Sequence, residues 1–154
     1  MKKFELTSEF VTFLGKKLFR IKALISFGNV KEGELGGFVE KEENLSNDGN
    51  AWVYGNARVC GNAEVYGDAE VYGDADYATV HGFGSEYRTT TFFRTKAGNI
   101  GVKCGCFYGT LEEFRAKVKK THGETKIAKE YLMVADLMEF RFSKGGSIDE
   151  KMGT

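Results

Sequence analysis

Between residues 49 and 84 the apolar and polar positions follow a six-residue cycle: GNAWVY (49–54), GNARVC (55–60), GNAEVY (61–66), GDAEVY (67–72), GDADYA (73–78) and a degraded TVHGFG (79–84). Ala57, Ala63, Ala69 and Ala75 recur in one slot, and Val53, Val59, Val65 and Val71 recur two positions before the next glycine. Two inward side chains per hexad, one small and one β-branched, fill a narrow interior. Gly followed by Asn or Asp supplies the turn, because these residues tolerate left-handed backbone. Leu45 and Val39 continue the alanine register upstream, and Gly37 and Leu35 continue the glycine and valine registers. The period predicts a parallel β-helix over 35–84.

The flanks show other periods. Phe10, Val11, Phe13 and Leu14 precede Gly15-Lys16-Lys17, and Leu18, Phe19, Ile21, Ala23 and Leu24 follow, which predicts a capping hairpin within residues 1–34. Beyond the repeat, Tyr87–Thr95 and Asn99–Tyr108 flank Lys96-Ala97-Gly98 as a second hairpin. Thr110-Leu111-Glu112-Glu113 forms a capping box that opens a helix ending at His122-Gly123. A second helix opens at Thr125 and carries Ile127, Tyr131, Leu132, Ala135, Leu137, Met138 and Phe142 as its apolar face. These four elements give a ββαα unit over 85–142, followed by a frayed tail over 143–154.

The hexads resemble those of left-handed β-helix proteins, in which three hexads make one triangular coil of about 18 residues. On that likeness, 35–84 forms a short left-handed parallel β-helix of about three coils within a mainly β protein. So short a solenoid leaves open ends that a cap or a second copy must cover, giving a dimer or trimer. Positions 18 apart then stack on one face, with Tyr54 beside Tyr72 and Asn56 beside Asp74. Nearly the whole chain resembles phage- and prophage-encoded hexapeptide-repeat proteins, often labelled transferases and mostly without assigned activity. LFRIKAL (18–24), GELGGFVEKEENLS (33–46), TFFRTKAGNIGVKCGCFYGTLEEF (91–114) and THG (121–123) carry the resemblance together with the hexads. It implies a phage accessory protein acting in the cytoplasm of a bacterial host, and brings with it no catalytic residue.

Composition narrows the field further. No apolar run approaches the roughly 20 residues that span a bilayer, so no membrane partner is expected. Three cysteines are too few for a disulfide framework, which suits a reducing compartment. The zero net charge conceals an asymmetry: residues 31–86 hold three Lys/Arg against twelve Asp/Glu, whereas the segments on either side are basic. An acidic repeat repels phosphate and disfavours direct nucleic-acid binding, while attracting a basic protein surface.

Three chemistries have candidates. His81, at the exit of the repeat, is the one position for the general base of a hexapeptide-repeat acyltransferase, although its register places it in the inward alanine slot, where a structural histidine is the simpler reading. Cys104 and Cys106, two apart on a strand, could share an ion with His122, although the CxC spacing and the lack of a fourth ligand favour core-facing cysteines and no bound metal or cofactor. Tyr54, Tyr66 and Tyr72 with Glu64, Asp68, Glu70 and Asp74 occupy outward slots, where aromatics supply contact area and carboxylates supply steering. The third is the leading expectation: a non-enzymatic factor binding a basic host protein, for instance a nucleic-acid-handling defence component. An acyltransferase and a sponge holding a small nucleotide signal at a subunit junction are the alternatives.

Overall fold

A computed structural model describes residues 2–143. The frayed segment expected over 143–154 therefore lies, beyond Ser143, outside the described residues. Ten strands run in chain order: β1 (Phe4–Phe13), β2 (Lys16–Ala23), β3 (Leu35–Val39), β4 (Trp52–Val53), β5 (Arg58–Val59), β6 (Glu70–Val71), β7 (Tyr77–Phe83), β8 (Arg88–Arg94), β9 (Ile100–Cys104) and β10 (Phe107–Thr110). Helices α1 (Leu111–His122) and α2 (Lys126–Arg141) follow. The strands form a mixed sheet of order β1-β2-β3-β5, an antiparallel sheet of order β10-β9-β8-β7, and a two-stranded parallel sheet, β4-β6.

This architecture corrects the expected left-handed β-helix. The long ladders are antiparallel, and the repeat contributes strands of only two residues, spread over two sheets. Parallel pairing within it is brief: Trp52 and Val53 meet Glu70 and Val71, eighteen residues on, whereas Phe38 and Val39 meet Arg58 and Val59, twenty residues on. The physical reason is local. A 3₁₀ turn at Glu42–Asn44 lengthens the first offset, with Asn44 buried and donating its amide N–H to the carbonyls of Gly61 and Ala63. A second 3₁₀ turn at Asp74–Asp76 ends the repeat. The chain after it becomes β7, a full partner of β8, so the degraded hexad at 79–84 belongs to an antiparallel sheet.

Within the repeat the slots themselves do what their side chains dictate. Val53, Val59, Val65, Val71, Ala57, Ala63 and Ala69 are buried in one cluster with Phe4, Ile21, Val39 and Trp52. Ala75, in the 3₁₀ turn, is exposed. Gly67 shows why a turn glycine is favoured there: its φ of +62° is left-handed backbone, and an added Cβ would meet the Tyr108 side chain.

The C-terminal part is a four-stranded meander with two helices, not the two-stranded unit expected. Cys104-Gly105-Cys106-Phe107 breaks the predicted second strand into β9 and β10 through a two-residue turn, with Gly105 at φ +58°. Strand β8 joins the layers. Phe93 packs into the repeat core, while its neighbour Phe92 packs with Val102, Leu111, Phe114, Val118 and α2. The capping box of α1 forms as its sequence implies, with Thr110 Oγ1 accepting from the Glu113 N–H at 3.2 Å and Glu113 Oε1 accepting from the Thr110 N–H at 2.9 Å.

Lys3 is an unusual core residue, with 1% of its surface exposed. Its ammonium donates to the Ala51 carbonyl at 2.7 Å and lies 4.7 Å from the centre of the Phe27 ring. Burial lowers its pKa to about 8, opposed in part by Asp48. The folded pKa lies below the unfolded value of 10.5, so between the two the unfolded chain holds a proton the folded chain has released. Stability relative to a Lys3→Met variant should therefore rise as pH climbs from about 8 towards 10.5, measured by urea unfolding at stepped pH.

Candidate functional site

The parallel register of β4 and β6 aligns the residue that follows each strand. Tyr54 donates its N–H to the Val71 carbonyl at 2.7 Å, continuing the ladder, and its ring stacks on Tyr72 with centroids 4.4 Å apart and planes 15° from parallel. The separation follows from the spacing of neighbouring strands, which carries in-register side chains at about 4.8 Å. Tyr72 is 59% exposed, while Tyr54 is half-buried beneath it. The Tyr54 phenol is pushed up to about 12 by burial first, then by Tyr72, Glu70 and Glu34. Two carboxylates thus act on the Tyr54 phenol, Glu34 while accepting the Lys31 backbone N–H through Oε1 at 3.2 Å. Among the described residues neither Glu34 nor Glu70 makes an ion pair.

Glu34 was not among the residues the hexads suggest. Glu34 precedes β3, whose ladder with β5 begins only at Phe38, so it acts on Tyr54 from outside any strand register. An eighteen-residue step sets Glu34 against Trp52, so the repeat alignment carries no signal for it.

The other expected binding residues are dispersed. Asp74 accepts from Arg58 Nε at 3.0 Å and from the Arg58 backbone N–H at 2.8 Å, and the Arg58 guanidinium lies 3.9 Å from the Phe13 ring centre. This pair lines a groove of about 740 Å³ beyond Tyr72, with Glu9, Arg20 and Asn56. Tyr66 faces elsewhere, tilted against Tyr108 at 5.9 Å and lying 4.7 Å from the buried Lys103 ammonium, which also sits 3.9 Å from Glu64. Asp68 lines a small cavity with Thr95 and Asn99. Tyr54, Tyr72 and Glu70 therefore come together, and Tyr66, Glu64, Asp68 and Asp74 do not join them.

His81 does not occupy an inward alanine slot. It is exposed on β7, with Nδ1 2.8 Å from Thr89 Oγ1, and lines an open cleft of about 770 Å³ with Lys41, Glu64, Tyr66 and Arg88. That cleft carries acids and bases together, and the hydroxyl beside the imidazole is that of Thr89. Cys104, Cys106 and His122 do line one cavity of about 340 Å³. Cys104 Sγ accepts from Thr90 Oγ1 at 3.1 Å and lies 3.8 Å from the Tyr131 hydroxyl, so its thiol is engaged by the core. Among the described residues no three His, Cys, Asp or Glu side chains converge as metal ligands. Nor is any described helix long and apolar enough to cross a membrane.

No protein-family model and no curated protein matches the chain.

The raised Tyr54 pKa has a measurable sign. An acid whose folded pKa exceeds its unfolded one stabilises the fold below the unfolded value and loses that contribution as pH rises through the folded value. The wild-type chain should lose more stability than Tyr54→Phe between pH 10 and about 12, read by thermal unfolding across that range.

Proposed function

We propose that the protein is a non-enzymatic binding factor whose Tyr54–Tyr72 pair, flanked by Glu34 and Glu70, takes a basic side chain of a host protein. The observation that carries this function is the stack itself: an aromatic surface half open to solvent, with the Glu70 and Glu34 carboxylates near enough to raise the Tyr54 phenol. A lysine or arginine laid on such a surface gains cation–π attraction from the exposed ring and charge attraction from the acids. Arg58 and Arg20, the cations nearest the groove side, are engaged by Asp74 and Glu9 and so do not occupy the stack. The wider acidic character of residues 31–86 steers a basic partner towards this end of the molecule.

The resemblance of the sequence blocks to phage-encoded hexapeptide-repeat proteins favours the cytoplasm of a bacterial host as the setting, and a nucleic-acid-handling defence component as the kind of protein whose basic site would be covered. The acidic site is narrower than the hexads imply, since Asp74, Glu64 and Tyr66 are held by neighbours of their own.

Affinity capture from host lysate, compared across variants, tests the proposal. One host protein should be retained by the wild type and by Glu64→Lys, and lost from Glu70→Lys and Tyr72→Ala, each removing about 1–3 kcal/mol of binding. Retention by all three variants contradicts it, as does acyl transfer from an acyl-CoA donor that disappears in His81→Ala.

A further inference from the structure

The β9–β10 turn holds two thiols that the tyrosine site does not use. Cys104 closes β9 opposite Phe107, and Gly105 and Cys106 form the turn itself. Two consecutive α-carbon steps of about 3.8 Å, folded back by a turn, set the two cysteine α-carbons about 5.5 Å apart, a separation that a disulfide spans. Both thiols are free, and both line the cavity of about 340 Å³ between this turn and the C-terminal end of α1. That volume lies at the lower end of the range for small-molecule sites.

The two sulfurs are not equivalent. Cys106 is exposed, whereas Cys104 is half-buried, with its Sγ accepting from Thr90 Oγ1 at 3.1 Å and lying 3.8 Å from the Tyr131 hydroxyl. A molecule entering the cavity therefore meets Cys106 first. The charge around the turn is positive. Glu86 first, and then Cys104 and Cys106, raise the Arg88 guanidinium, which packs against Gly105 and so stands within reach of both sulfurs. Lys103 donates its ammonium to the Gly105 carbonyl. Lys117 and His122 line the cavity from α1, and the carboxylate among its described lining residues is that of Glu86, paired with Arg88. Such a rim favours a ligand that carries carboxylates.

We propose that Cys106 and Cys104 form a thiol–disulfide exchange centre for a small, carboxylate-bearing disulfide bound in this cavity. Cys106, as the thiolate, attacks one sulfur of the small disulfide. A mixed disulfide forms on Cys106, and the first small thiol leaves with the proton that Cys106 gave up. Cys104 then attacks the Cys106 sulfur, which closes the Cys104–Cys106 bond and releases the second small thiol with the proton from Cys104. Two protein thiols and one small disulfide become one protein disulfide and two small thiols, and two electrons pass from the protein to the small molecule. A bond closed over one glycine and open to solvent is readily reduced, which suits reversible exchange better than a structural crosslink.

Oxidised glutathione, reacted with the full chain and followed by mass spectrometry, tests this. The wild type should lose two hydrogens and yield a peptide linked through Cys104 and Cys106, while Cys60, half-buried in the repeat, remains a thiol. Cys104→Ser should stop at one glutathione adduct on Cys106, and Cys106→Ser should slow loss of the Cys104 thiol about tenfold. Lys117→Gln leaves both sulfurs in place. It should slow the reaction with oxidised glutathione about threefold and leave the rate with the neutral disulfide of mercaptoethanol unchanged. Oxidation of Cys60 as fast as that of Cys106 overturns the proposal, as does a wild-type chain that keeps a glutathione adduct and never closes the internal bond. Equal rates for wild type and Lys117→Gln with oxidised glutathione overturn the assignment of a carboxylate-bearing ligand.

Discussion

Strand β8 is buried on both of its faces, and the rest of the molecule is arranged around that fact. Phe92 and Phe93 are adjacent, so the pleat sends them to opposite sides of the sheet, one into the helices and one into the repeat. Gly101 across the ladder accepts the Phe93 ring, since a Cβ there would run into it. Burying two phenylalanines stabilises by roughly 1.5–3 kcal/mol each, but the larger effect is architectural. A short repeat with open sheet edges and a helical pair with one apolar face each lack a partner, and β8 supplies both through one strand. Hydrogen bonds reinforce the repeat side, with Glu64 N–H donating to Thr91 Oγ1 and Lys96 N–H donating to the Asp68 carbonyl.

Seen from the sequence, side-chain slots were far more legible than strand connections. The valines and alanines of the hexads are inside because their size and branching leave no other place for them, and a six-residue period reports that directly. How the hexads join depends on features a period does not carry. Two 3₁₀ turns shift one offset from eighteen to twenty and end the repeat. Residues 77–83 looked like fading hexads because β-branched and aromatic residues suit an antiparallel strand equally well. The N-terminal hairpin, the β8–β9 hairpin and both helix starts were legible because each is fixed locally, by a glycine turn or by a capping threonine.

The candidate site shows the same division. Tyr54 over Tyr72 follows from an eighteen-residue step within the one part of the repeat that keeps it. Glu34 lies outside the hexads and the strands, so its approach to Tyr54 needed the fold itself, and the separation of Tyr66, Glu64 and Asp74 from the pair needed the positions of Lys103 and Arg58. Neither cation is near these acids in sequence terms that a repeat alignment would reveal. The net effect is to reduce a broad acidic face to a compact aromatic and acidic site, because ion pairs engage Glu64 and Asp74 and Asp68 lies apart beside Thr95 and Asn99. Likewise, the outward turn of Leu137, which is 56% exposed although the sequence pattern assigns it to the buried face, reflects which side of α2 the β8 layer occupies, a tertiary fact that an apolar count along the helix does not contain.

A shared strand makes the two cores one cooperative unit, and the chain carries its own reporters for each. Its single tryptophan, Trp52, is fully buried in the repeat core against Phe27, while the helical signal comes from α1 and α2 beyond the sheet. Urea unfolding followed in parallel by tryptophan fluorescence and far-ultraviolet circular dichroism compares them in one sample. If β8 binds the layers together, the two transitions coincide in midpoint and slope. Separate midpoints, with the helices lost while Trp52 stays buried or the reverse, would contradict that account.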